Sequence, residues 1–189
     1  MKLSHINYYE NLPFNWELCH IKDIALFVKR GKSPSYCEES NGILVLAQKC
    51  NQWDGIYLEK ALKTSKKYLV KYTWDKISKP GDIIINSTGG GTVGRIGYLT
   101  EEILNNIILL PDSHITTIRV GKKMSSKYVY YFFTNPLFQN NVESYCEGST
   151  NQIELYSKVI NGLFFPLPPL SSQIKIVNKI DKLFTLIKN

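Results

Sequence analysis

Apolar and polar positions change rhythm along this chain. Residues 12–28 open with a turn through Pro13-Phe14-Asn15-Trp16. Leu18, Ile21, Ile24, Ala25 and Val28 then fall on one face of a 3.6-residue repeat, which predicts a helix. Gly31 and Pro34 break that pattern in KRGKSPSY (29–36), an exposed basic loop rich in hydroxyls. GILVLAQKCN (42–51) reads as a buried strand ending in polar Gln48-Lys49-Cys50-Asn51. The lysine-rich stretch 59–72 suits a short helix or a strand edge. A turn at Pro80-Gly81 leads into a strand at Ile83-Ile84-Ile85, and alternating RIGYLT (95–100) is its hairpin partner. Residues 107–121 give another strand pair, interrupted at Pro111-Asp112.

The rhythm turns helical at 125–146, with Asn135-Pro136 as a break or new N-terminus. EGSTNQIELY (147–156) starts as a polar turn, and INGLFFPLPPL is proline-punctuated and extended. A final helix follows, with Ser171-Ser172 as caps after the prolines. Ile176, Ile180, Leu183 and Ile187 form its apolar stripe, widened by Val177 and Phe184, and such a stripe wants a partner helix.

Composition changes this picture little: 189 residues, 43% hydrophobic and 21% charged, suit one well-packed soluble domain. No apolar run is long enough to span a bilayer, and the N-terminus lacks a signal-peptide h-region, so a cytoplasmic protein is expected. Charge is more informative. The net +7 is concentrated between Lys22 and Lys79, where 12 basic residues face 6 acidic ones. A basic half suits a polyanionic partner, although lysine supplies nearly all of it, as an AT-rich genome also would.

Chemical motifs are sparse. Cys19, Cys37, Cys50 and Cys146 form no C-x-x-C pair and His5, His20 and His114 lie far apart, so neither a metal site nor a cofactor is expected. Gly89, Gly91 and Gly94 satisfy G-x-G-x-x-G, but a strand-like run follows them where a dinucleotide site needs a helix N-terminus. The loop instead suits close approach by a ligand backbone, since glycine removes the Cβ. NPLF (135–138) is similar to the Asn-Pro-Pro-Tyr/Phe signature of adenine-N6 methyltransferases, but lacks its second proline and any cofactor loop. It reads better as a helix break.

Four pieces in order resemble the specificity subunits of type I restriction–modification enzymes. They are LPFNW…IKDIA…GKSPS, then GDIIINSTGGGTVGRIGYL, then SHITTIRV with YVYYFFTNP, and last EGSTNQIEL…PLPPLSSQIKIV. Ser172 departs from the family, which usually has an acidic residue before the glutamine, here Gln173. The resemblance implies an α+β fold: a globular target-recognition domain over 1–169, with a twisted, mostly antiparallel mixed sheet and short helices, then an amphipathic spacer helix beginning over 170–189.

It also implies a non-catalytic reader of double-stranded DNA. Methyltransferase subunits, and in some systems a motor-nuclease subunit, dock on such subunits. The chain resembles one recognition domain of two, hence half a subunit, a split-gene product or a truncated one. Such a half could form a homodimer, or pair with a second half-subunit, through Ile176, Val177, Ile180, Leu183, Phe184 and Ile187. Within the domain, the chemistry of DNA contacts selects Lys32 and Ser33; Gln48, Lys49 and Asn51; Ser87, Thr88, Thr92 and Arg95; and Ser149, Thr150, Asn151 and Gln152. Arg95, which can be bidentate to guanine, is the most capable. Two rival readings remain: a non-specific basic DNA-binding scaffold, and an enzyme using a nucleotide or S-adenosylmethionine.

Overall fold

The computed structural model describes residues 9–149 and 152–188. Strands β2 (Ala25–Arg30), β9 (Ile115–Val120), β6 (Ile83–Asn86) and β7 (Ile96–Tyr98) form an antiparallel sheet in that spatial order. A second sheet has the order β3 (Tyr36–Cys37), β5 (Leu62–Thr64), β4 (Ile43–Leu46) and β8 (Leu109–Pro111), with β8 parallel to β4. β1 (Glu17–His20) pairs antiparallel with β10 (Phe164–Leu167), tying the start of the described chain to the segment before its last helix. The α-helices are α1 (Ile21–Ile24), α2 (Glu101–Leu104), α3 (Ser126–Thr134), α4 (Pro136–Gln139), α5 (Ser157–Asn161) and α6 (Leu170–Lys188).

The triple isoleucine explains the layering. Ile83 and Ile85 pack with Val129, Phe133 and Phe165 on the helical side, whereas Ile84 meets Leu46, Leu109 and Ile115 between the sheets. A strand covered on both faces has no use for polar alternation. Each such burial contributes about 1.5–3 kcal/mol of transfer free energy. Arg119 joins the layers from β9: its guanidinium donates to both carboxylate oxygens of Asp82 at 2.6 Å and to the carbonyls of Asp75 and Ile77.

Local signals set the helix boundaries. The Ser125 side chain accepts from Tyr128 N at the start of α3. Asn135 ends α3 and caps α4, accepting from Leu137 N at 2.7 Å, with Pro136 in the first turn. Asn135-Pro136 is thus a helix break.

Several expectations need correction. The helix expected near residues 18–28 shrinks to the single turn α1, because β1 and β2 on either side find strand partners and tertiary pairing overrides a short periodicity. The strands at 107–121 both form but lie in different sheets, with Asp112 at the crossover, its N–H donating to Leu46 O. Residues 59–72 divide between β5 and 3-10 turns at 66–71. Finally, α6 starts at Leu170, and Pro169 O accepts from the N–H groups of Ser172 and Gln173, so the serines lie within its first turn and do not cap it.

Candidate nucleic-acid interface

One edge of the domain collects the C-terminal ends of β2, β4, β6 and β8 and the N-terminal ends of β7 and β9. Their loops are cross-linked into a rim. Gly31 N donates to Ile115 O (3.1 Å), and the hydroxyls of Ser33 and Ser113 share a hydrogen bond of 2.7 Å. Gln48 Nε2 donates to Thr88 O (2.8 Å), while Thr88 Oγ1 and His114 Nδ1 lie 2.9 Å apart. Gly89 N reaches Ile153 O (3.2 Å) and Leu155 N reaches Ser87 O (2.8 Å), which seats the 152–155 segment beside the glycine loop. Arg30 pins the same junction by pairing with Glu154 and donating to Ser87 O at 3.2 Å.

A buried polar layer lies beneath the rim. Asn51, Asn86 and Ser87 are fully buried. Asn51 Nδ2 donates to Asn86 Oδ1 and Arg95 O, both at 3.0 Å, and Asn86 Nδ2 returns bonds to Gln48 O and Asn51 O at 3.3 Å. The Ser87 hydroxyl bonds that of Thr116. Both amide nitrogens and Asn86 Oδ1 are bonded, which offsets their burial and fixes where each loop leaves its strand, while Asn51 Oδ1 is enclosed without a protein partner. The expectation that Asn51 and Ser87 contact DNA is therefore corrected: enclosed side chains cannot reach a duplex.

The glycine loop is a turn between β6 and β7, with Thr92 N and Val93 N donating to Gly89 O at 3.2 and 3.0 Å. Its glycines have different duties. At Gly94, where φ is +84°, a Cβ would sit 2.7 Å from Val142 Cγ2, so this glycine admits the neighbouring core residue. At Gly91, with φ +77°, a Cβ would meet nothing within 4 Å, leaving the loop tip open to a ligand. β7 follows where a dinucleotide site requires a helix.

Arg95 leaves this loop half-buried. Its guanidinium donates to Gln52 Oε1 at 2.6 Å and Gly91 O at 3.1 Å and lies over the Trp53 ring, 5.7 Å from the centroid. Trp53 is 64% exposed, too much for a core aromatic. Together they form a preorganised, cationic, stacked unit. Lys49, His114 and Gln152 are exposed on the same rim, as are Lys32, Ser33 and Ser149. The Lys32 ammonium donates to Lys71 O. The Thr92 hydroxyl turns inward to Thr88 O at 2.8 Å, and Thr88 is tied to Gln48 and His114. Thr150 and Asn151 lie outside the described residues.

Sequence reasoning missed Gln52, Trp53, Asn86 and the Arg30–Glu154 pair. A signal existed only for Trp53, a lone aromatic in the polar run NQWDG with no apolar period to belong to. Burial raises the Asp112 carboxyl above its usual range, although His114 N donates to it at 2.8 Å. Burial also holds the Cys19 and Cys146 thiols up at about 11, which leaves them protonated and poorly nucleophilic at neutral pH. Among the described residues, no cluster of His, Cys, Asp and Glu could hold a metal, and no helix is long and apolar enough to cross a membrane.

The start of α6 is welded to the domain. Gln173 is buried, accepting from Ser125 N at 2.9 Å and donating to Pro168 O at 2.8 Å. Asp181 accepts from Lys127 at 2.8 Å and from the Tyr131 hydroxyl, and Phe184 stacks on Tyr131. Val177 is buried in the chain's own core with Ile176 packed against it, so Val177 is corrected out of the partner-facing stripe. Ile180 is half-buried, whereas Leu183, Phe184 and Ile187 are 51%, 53% and 78% exposed.

Comparison with known proteins agrees with this architecture. A chain solved in work on complex assembly and conformational transition of the type I R-M system superposes with TM-score 0.69 at 18% identity, covering 94% of this chain and 40% of that one. The HsdS subunit from Thermoanaerobacter tengcongensis gives TM-score 0.63 at 17% identity, over 94% of this chain and 39% of its own. Both likenesses concern the fold. The EcoKI specificity subunit of Escherichia coli (strain K12) is 27% identical over 106 residues, which is 55% of this chain and 22% of that protein. The chain thus spans well under half the length of these relatives. The family model for the type I restriction modification DNA specificity domain matches residues 13–189, and the chain belongs to that family.

Proposed function

We propose that this chain is a target-recognition domain that reads one half of a bipartite sequence in double-stranded DNA, as half of a type I specificity subunit. The observation that carries the reading is the rim: loops from both sheets are locked together by buried amides, while Lys49, Trp53, His114 and Gln152 are exposed and half-buried Arg95 lies over Trp53. Rigid placement of exposed donors is what base readout needs, since preorganisation lowers the ordering cost of binding. Lys32 and Lys49 suit phosphates, Gln48 and Gln152 suit adenine, and Arg95 suits guanine once DNA replaces Gln52 as its partner. In this reading the domain occupies 1–169 and catalyses nothing. Methyltransferase subunits dock on it in the cytoplasm and supply the S-adenosylmethionine chemistry. The exposed Leu183, Phe184 and Ile187 offer α6 to a second helix, from a copy of this chain or another half-subunit.

The test is selection from a randomised duplex pool at fixed, near-physiological salt, followed by sequencing. The expected result is a short enriched motif that Arg95→Ala relaxes, most strongly at one position, with roughly a 5–100-fold loss of affinity. Salt-sensitive binding without enrichment refutes sequence reading and leaves a basic scaffold. An Arg95→Ala variant with unchanged affinity and preference removes that residue from the interface.

A further inference from the structure

β2 is an edge strand, and beside it lies a cleft of about 120 Å³ whose lining includes only Lys32 of the expected readers. Phe27, Lys29 and Thr117 line it from the first sheet, Lys32 from the loop after β2, and Tyr72 and Lys76 from the opposite wall. Thr117 sits opposite Lys29 in the β2–β9 register. Thr117 is 3% exposed, and its Oγ1 has no protein hydrogen-bond partner. Buried hydroxyls are nearly always bonded, so an unpartnered one beside a cleft calls for a water or a ligand atom.

The charge is equally one-sided. The Lys29 and Lys76 ammonium groups make no hydrogen bond or ion pair among the described residues, and Lys32, bonded to Lys71 O, keeps two N–H donors. No carboxylate lines the cleft. The neighbouring Asp75, exposed outside it, is held below the usual carboxylate range by the Thr73 hydroxyl, with Lys76 and Lys29 adding to the effect. Arg30, the other cation in the lining, is already paired with Glu154.

We propose that this cleft seats a phosphate group: the Thr117 hydroxyl donates from its floor and Lys29, Lys32 and Lys76 close around the oxygens. Its volume is well under the roughly 300 Å³ at which pockets for cofactor-sized ligands begin, so a single tetrahedral oxyanion fits and a nucleoside does not. The aromatic walls of Phe27 and Tyr72 limit water and strengthen the charge interactions. Gly31 and Lys32 continue directly from the cleft into the rim. Resting on the DNA reading above, the occupant is a backbone phosphate flanking the half-site, and the seat sets register and carries no sequence information.

Two arms test this. In the first, the probe is 50 mM inorganic phosphate against chloride at equal ionic strength and pH. Wild-type Tm rises by about 2–4 °C, the rise vanishes in Lys29→Gln/Lys76→Gln, and it shrinks in Thr117→Val. The valine variant removes a hydroxyl with no partner to lose, so its folding is the internal control. A wild type indifferent to phosphate, or variants that respond as it does, overturn the seat. In the second arm, the double variant selects the wild-type motif but binds it with a salt slope shallower by about 1. A phosphate response with unchanged duplex affinity and slope overturns the backbone occupant in favour of free phosphate. If the wild type selects no motif at all, the DNA reading fails, and the first arm alone decides the seat.

Discussion

Two glycines of one loop, both at positive φ, separate packing from ligand access when each is given a methyl group. At Gly94 the new Cβ would lie 2.7 and 3.0 Å from the two Val142 methyl carbons, and Val142 is buried beside Phe138 in the main core. The left-handed backbone costs an alanine about 1–2 kcal/mol. Overpacking against a side chain that cannot swing away adds about 1–3 kcal/mol, for a total of about 2–5 kcal/mol. At Gly91 only the backbone cost applies, about 1–2 kcal/mol. Gly94→Ala is therefore expected to melt below Gly91→Ala by roughly 2–12 °C, given about 2–4 °C per kcal/mol for a chain of this size. Urea unfolding followed by tryptophan fluorescence measures the same gap as free energy. Adding Val142→Ala should cost the Gly94→Ala protein less than it costs wild type, a coupling expected only for atoms in contact. Equal stabilities for the two alanine variants would refute the assignment of Gly94 to packing. Duplex affinity should order them the other way: below both melting temperatures, Gly91→Ala weakens binding and Gly94→Ala does not.

Asn51→Ala removes the donor to Asn86 Oδ1 and Arg95 O; the first is left buried without a partner, whereas Arg95 O keeps the N–H of Asn86. The expected loss is about 1–3 kcal/mol in urea unfolding, and a loss within about 0.5 kcal/mol would mean that water replaces the amide. Asp112 gives a pH test. Its folded pKa is raised, so the native state holds the proton to higher pH than the unfolded chain; the resulting stability is complete below the unfolded value, near 3.9, and lost as pH rises through the folded one. Asp112→Asn keeps an acceptor for His114 N, so stability against pH should fall less steeply above about 4 than in wild type, and an unchanged slope would sink the burial argument.

The sequence disclosed elements whose periodicity and punctuation agree. The Ile83–Ile85 strand, its partner after Arg95, the Asn135 break and the final helix all have local causes: a turn dipeptide, a cap, a proline. It misled where one pattern served two ends. Leu18, Ile21, Ile24 and Val28 are spaced like a helix face, yet β10 and β9 claim the flanking strands, and no local signal names a partner more than 80 residues away. The site was half legible for the same reason. Residue chemistry picked out Arg95, Lys49 and Gln152, but it could not distinguish Asn51 from Gln48, polar residues three positions apart at the two ends of one turn, of which Asn51 is fully enclosed. Orientation is decided by Asn86, 35 residues away, whose amide matches that of Asn51.

This division between inner and outer residues bears on how one scaffold could read different sequences. If the loops were shaped by the residues that touch DNA, each change of target would also risk the fold. Here loop exit angles depend on Asn51, Asn86, Ser87 and the Arg30–Glu154 pair, whereas Lys49, His114, Gln152 and the tip at Gly91 contribute little to the core. Surface changes of this kind usually fall within about 0.5 kcal/mol. Arg95 is the exception, because it is both a candidate reader and a structural donor to Gln52 and Gly91 O. Lysine at that position keeps the charge but loses the planar fork that holds both partners and stacks on Trp53. The rim should therefore tolerate Lys49→Gln without loosening, while Arg95→Lys frees the glycine tip and blurs readout beyond one base.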